Sequence, residues 1–256
     1  MNTRPLATGI TLLSGAGGSG RTSTALGLAA RLAQKGHKTL FFDLCFGWGG
    51  LTIGNSGLYS YEKLLDSENR LELCDSTPYG FDLVTCLPTE ALDPGEEDLA
   101  KITYIIHDLG GSYDYIILDP PASANALSLL AAGLCEEIYL LVRPDAAAVA
   151  SSYCLAKLLA GHGLIDRVKV AFGFIDSPEQ ALSLKTRFDT LTRQFINFAF
   201  PYGGFVYRED EKESPDFQSG EDIEYFISMA KTIILDDSRA LHIETKPRIG
   251  AHHVPA

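Results

Sequence analysis

The chain has 256 residues, 46% of them hydrophobic and 21% charged, with a formal net charge of −12. That length suits one large α/β unit with a core of its own. The excess of acid excludes non-specific nucleic-acid binding, which needs clustered lysine and arginine, and it disfavours a resting place on anionic lipid.

The elements alternate between strand and helix from the start. Ile10 to Leu13 is an apolar β-type run, and Gly15-Ala-Gly-Gly-Ser-Gly-Arg-Thr22 follows it. A helix from Ala25 to about Lys35 comes next, with Gly36 as its stop. Lys38–Asp43 reads as a buried strand ending in a carboxylate. Leu44–Gly54 is a glycine-rich loop of the kind in which switch elements lie, and Tyr59–Leu65 one short helix.

Phe81–Cys86 is a third strand, and Pro94 opens a helix from about Gly95 to Leu109. Tyr113–Asp119 is continuously apolar until its last residue, as a strand buried on both faces should be. A helix over Ala122–Leu134, a strand over Glu137–Val142 and a helix over Asp145–Leu159 follow. Val168–Gly173 is a strand, Glu179 to about Gln194 a helix, and Phe195–Phe200 a last strand. Tyr207–Asp222 is an acidic surface loop, and Ile223–Leu235 an amphipathic helix that closes a single domain over residues 1–235. Residues 236–256 form a tail with little to bury, so its His252-His253 pair reads as solvated rather than metal-binding. The pattern predicts a doubly wound, mostly parallel sheet with helices on both faces.

No apolar run approaches the roughly 20 residues of a membrane span, and the N-terminus lacks an apolar signal core. The five cysteines are odd in number and form no C-x-x-C pair, so they read as reduced thiols. Both features lead us to expect a cytoplasmic protein.

Strand, glycine turn and helix together form the context of a phosphate-binding loop. Glycines let backbone N–H groups converge on an anion, and the helix N-terminus adds partial positive charge. The alternative is a tight strand–helix turn with no ligand. The candidate binding residues are Gly15, Gly17, Gly18, Ser19, Gly20, Arg21, Thr22 and Ser23. The spacing fits G-x-x-x-x-G-K-[ST], except that Arg21 stands where the lysine belongs. Thr22 and Asp119 are the candidate Mg²⁺ pair, and Asp43 is the one candidate for a catalytic role. Each aspartate alone could simply cap the turn after its strand, but in a doubly wound sheet both strand ends converge with the glycine loop and form one constellation.

In order and spacing the chain resembles the MinD/ParA superfamily of P-loop ATPases, and within it the flagellar-number regulators of the FlhG/FleN type. The resemblance runs from about residue 8 to 235. The family's K-G-G-x-G-K-[ST] loop corresponds to Ala16-Gly-Gly-Ser-Gly-Arg-Thr22, and its switch D-x-D to Asp43-Leu-Cys45. Its Walker B acid corresponds to Asp119, its T-T-P-E segment to Val142-Arg-Pro-Asp145, and its base-contacting Asn to Gly173. Its adenine-packing I-P-x-D turn corresponds to Val206-Tyr-Arg-Glu209.

The resemblance implies that Ala16 replaces the lysine that crosses a dimer, and Cys45 the aspartate that positions the attacking water. Arg21 keeps a charge, but its planar fork does not replace a compact ammonium between phosphates. The expectation is therefore a pseudo-ATPase that binds ATP and Mg²⁺ weakly or not at all. It would serve as a regulatory or positioning protein of a flagellar, pilus or division machine, through a protein partner and without an ATP-driven homodimer. No nucleic acid is expected, and membrane association only indirectly. The runner-up is an active ATPase switch of the same fold. An iron–sulfur carrier would need paired cysteines, and a bacterial tyrosine kinase would need a C-terminal tyrosine cluster. Trp48 in the switch-type loop either packs inward or anchors a partner, and the partner reading is preferred. The acidic stretch Glu209–Asp222 is the next candidate surface.

Overall fold

A computed structural model describes residues 6–45, 47–54, 59–87 and 94–208. Strand β1 (Thr8–Leu13), helix α1 (Arg21–Gln34) and strand β2 (Thr39–Asp43) form the first crossover unit. Helix α2 (Trp48–Thr52), strand β3 (Tyr59–Ser60), helix α3 (Tyr61–Asp66) and strand β4 (Asp75–Ser76) lead to β5 (Asp82–Leu87). Then come α4 (Glu96–Gly110), β6 (Tyr115–Asp119), α5 (Ala126–Leu134), β7 (Glu137–Val142) and α6 (Ala146–Gly161). Strand β8 (Val168–Ile175), α7 (Pro178–Ile196) and β9 (Tyr202–Tyr207) complete the described elements.

One sheet runs β3-β5-β2-β6-β1-β7-β8-β9, with β4 beside β5. The β4–β5 pairing is antiparallel, and every pair along the main path is parallel. The alternating side chains of β6 explain the layers, because period-two geometry sends neighbours to opposite faces. Ile116 and Leu118 join the cluster containing Ile102, Ile105 and Leu109 of α4 and Leu127 and Ala131 of α5. Tyr115 and Ile117 join the cluster containing Leu26, Ala29 and Ala30 of α1 on the other face. Beyond β1, the strands β7 and β8 pack against Leu155 and Leu159 of α6 and Leu184 and Phe188 of α7.

β1 lies between β6 and β7: its own crossover runs toward β2 on one side, while the crossover from β6 passes to β7 on the other, so strand order reverses at β1. The crevice above such a switch point is where a doubly wound sheet receives ligands. The Gly15–Thr22 loop therefore opens where two neighbouring strand ends also arrive.

Several expected boundaries move. The final strand is Tyr202–Tyr207, not Phe195–Phe200. Helix α7 continues to Ile196 and ends at Asn197 in the left-handed conformation, φ 51°. Phe198 and Phe200 are apolar because their rings pack together, with centroids 5.0 Å apart, rather than because they are in a strand. Tyr59–Leu65 divides into β3 and α3, and the Leu44–Gly54 loop contains the short helix α2. Helix α5 starts at Ala126, not Ala122, because Asn125 caps it by accepting from the Ser128 N–H at 2.8 Å. Val206 and Tyr207 belong to β9 and so do not form a turn, while Glu209 lies outside the described residues. The expected 223–235 helix, the tail with His252-His253 and nearly all of the acidic segment also lie outside them. Among the described residues, no helix is long and apolar enough to cross a membrane.

Candidate phosphate-binding site

The loop after β1 is shaped by its glycines for two different reasons. Gly18 (φ 65°) and Gly20 (φ 74°) occupy the left-handed region that side chains rarely adopt. Gly15 is needed for space, since a Cβ there would lie 2.2 Å from the Ser151 backbone carbon of α6. Gly17 has open space around it. Gly17 and Gly18 are exposed, whereas Ser19 is buried. Thr22 and Ser23, in the first turn of α1, are partly exposed. With Gly20 as its N-cap, α1 receives no side-chain cap, so its first N–H groups suit an anion.

Parallel pairing of β2 and β6 places Asp43 opposite Asp119. Both acids are fully buried. The Oδ1 of Asp119 accepts from Arg21 Nε at 2.9 Å, and its Oδ2 from the Thr22 hydroxyl at 2.7 Å. Arg21 is only 5% exposed, and its Nη2 donates to Cys45 Sγ at 3.7 Å. Its Nη1 is buried and has no hydrogen-bond partner among the described residues.

Asp43 is held by backbone. Its Oδ1 accepts from the Cys45 N–H at 2.7 Å, and its Oδ2 from Gly49 at 2.7 Å and Gly50 at 3.2 Å. A Cβ on Gly49 would fall 2.9 Å from that Oδ2, so glycine permits the approach. Burial, followed by the charge of Asp119, pushes the Asp43 carboxyl up to about 6, against the pull of those amides. Burial, followed again by Asp119, pushes the Cys45 thiol up to about 11. Cys45 is therefore a neutral thiol at ordinary pH and no base.

A phosphate fits the loop, but a divalent cation fits poorly beside it. Thr22 and Asp119, the pair assigned to Mg²⁺, are hydrogen-bonded to each other, and the arginine already neutralises the acid. Among the described residues, no group of three or more His, Cys, Asp or Glu side chains could hold a metal.

One site residue was met in the sequence only as part of the Val142–Asp145 segment. Arg143, just after β7, donates from Nη1 to the Gly18 carbonyl at 3.1 Å and pairs with Asp145 at 3.0 Å. Its guanidinium also lies 5.7 Å from the ring centre of Phe174, which borders Gly20. The available signal was Arg143's place after the strand that neighbours β1. Trp48 on α2 is 62% exposed and Leu51 57%, which removes the inward-packing alternative for the tryptophan.

The model of the family described as ATPase MipZ matches residues 9–144. The antiactivator FleN of Pseudomonas aeruginosa is 25% identical over 207 residues, covering 77% of this chain and 72% of FleN. Among solved structures, a ParA family ATPase from Chlorobium tepidum superposes with TM-score 0.69 at 19% identity, covering 93% of this chain and all of that one. The septum site-determining protein MinD of Pyrococcus horikoshii, solved with Mg-ADP, gives TM-score 0.64 at 17% identity. That match covers 94% of this chain and 100% of MinD. At these identities the two structures speak for the fold alone.

Proposed function

Because the chain belongs to the MipZ family of ATPases, within the MinD/ParA superfamily, we propose that it is a regulatory or positioning protein with a degenerate P-loop. It binds nucleotide weakly through Gly15–Thr22 and Ser23, and turns it over poorly or not at all. The observation that carries this reading is the Arg21–Asp119 ion pair at 2.9 Å, with the neutral Cys45 thiol beside it. A cation committed to a buried carboxylate is not free to follow charge developing on a transferred phosphoryl group. Its output is then protein binding, directed at a component of a surface organelle or division machine. Similarity to a protein named an antiactivator supports a regulatory output.

Phosphate release with saturating ATP, together with an ATP-binding titration, tests the proposal. Binding without turnover is expected. Turnover on the order of 1 s⁻¹, the low end for enzymes, and lost in Asp119→Ala, would sink it. The runner-up, an active ATPase switch, draws support from Asp43, a buried acid whose carboxyl is raised to about 6. Against that role, both Asp43 oxygens already accept backbone N–H groups.

A further inference from the structure

The strand-end acids and the loop arginine leave a specific mismatch with the metal that P-loop sites use. A divalent cation at Thr22 needs nearby carboxylate charge to offset its own, and oxygen atoms to hold its water shell. Asp119 has one oxygen on Arg21 and the other on Thr22, while both Asp43 oxygens accept backbone amides. Arg21 is 5% exposed and Asp119 fully buried, so this is no surface pair that water would readily loosen. A dication arriving here would meet a guanidinium whose charge is already counted against the acid. The same side chain also keeps a spare donor. Nη1 of Arg21 is buried with no partner among the described residues, and an orphaned buried donor is costly. An anion oxygen is the group that would satisfy it, and the adjoining loop and uncapped start of α1 are shaped for anions.

We propose that Arg21 is the resident cation of this site, so that the loop takes a phosphate-bearing ligand without a divalent metal. The proposal rests on the nucleotide-binding reading above. It places the departure at Arg21 in metal dependence, where a lysine at the same position would leave Asp119 to a hydrated metal.

The test is calorimetric titration of the full chain with ATP, and separately with pyrophosphate, in excess Mg²⁺ and in excess EDTA. Affinities that agree within about threefold, less than 1 kcal/mol by the relation of Kd to free energy, are expected for both probes. Tighter binding in Mg²⁺ by more than that overturns the metal-free site and leaves nucleotide binding standing. No binding in either buffer overturns both. Arg21→Lys, checked for folding by circular dichroism, should gain affinity with Mg²⁺ relative to EDTA. A folded lysine variant that stays indifferent to the metal also counts against Arg21 as the substitute cation.

Discussion

Asp43 and Asp119 face each other as register partners at the ends of adjacent parallel strands, and the two carboxylates are managed in opposite ways. Asp119 pairs with Arg21, whereas Asp43 is held, among the described residues, by the N–H groups of Cys45, Gly49 and Gly50. Burial, and after it the charge of Asp119, raises the Asp43 carboxyl.

The consequence for pH is directional. The Asp43 carboxyl titrates near 6 in the folded chain and near 3.8 when free, so the folded state holds its proton longer. From this group, stability is unpenalised below pH 3.8 and falls as pH rises to about 6, by roughly 3 kcal/mol in all. Carbon-13 NMR of labelled aspartate should show one carboxyl with a midpoint near 6. A midpoint below 3.8 would mean the amides outweigh burial.

Removing Arg21 should be severe. Arg21→Ala leaves the buried Asp119 carboxylate, among the described residues, with the Thr22 hydroxyl alone, and such losses cost about 3–5 kcal/mol. Removing Arg208 from its pair with Asp176, where both side chains are more than half exposed, should cost about 1 kcal/mol or less. Urea unfolding of the two variants separates the cases, and equal losses would contradict the buried pair.

The loop glycines should differ in tolerance. Gly15→Ala drives a methyl into the α6 backbone at Ser151 and Ser152, and overpacking of this kind costs about 1–3 kcal/mol. Gly17→Ala meets open space and should change stability by about 0.5 kcal/mol or less. Thermal melts of both variants check this ordering, and the reverse order would mean that the loop does not lie against α6.

Trp48 should matter to a partner and not to the fold. As it is 62% exposed, Trp48→Ala is expected to shift stability by about 0.5 kcal/mol at most. Capture of the cellular partner should fall, as it does when an aromatic anchor is lost. A loss of several kcal/mol in unfolding experiments would instead identify a buried ring.

The parts of the fold that could be read from sequence were those with one dominant signal. β6 is apolar on both faces, and α6 begins at an aspartate that caps it. The end of α7 was misread because Phe198 and Phe200 have the composition of a strand while serving as packing in a connection. Within the site, the loop and both acids were legible as one constellation at converging strand ends. The bond between Arg21 and Asp119 was not, since it joins residues 98 positions apart and only strand order brings them together. For the same reason Arg143 was read only as part of the Val142–Asp145 segment, and the fold is what sets it against Gly18.

The central position of β1 governs how the chain can be made. Thr8 pairs with Tyr115, and Ile10 with Glu137, so β1 leaves the ribosome well before the two strands that flank it, β6 and β7. At synthesis rates of about 5–20 residues per second, the interval is on the order of 5–25 s. Throughout it, Ile10, Leu12 and Leu13 have no completed sheet to enter, so apolar side chains that the finished fold buries stay exposed on the nascent chain. Proteolysis of stalled chains should find β1 protected only once β7 has cleared the exit tunnel; protection of shorter chains would mean that β1 first pairs elsewhere.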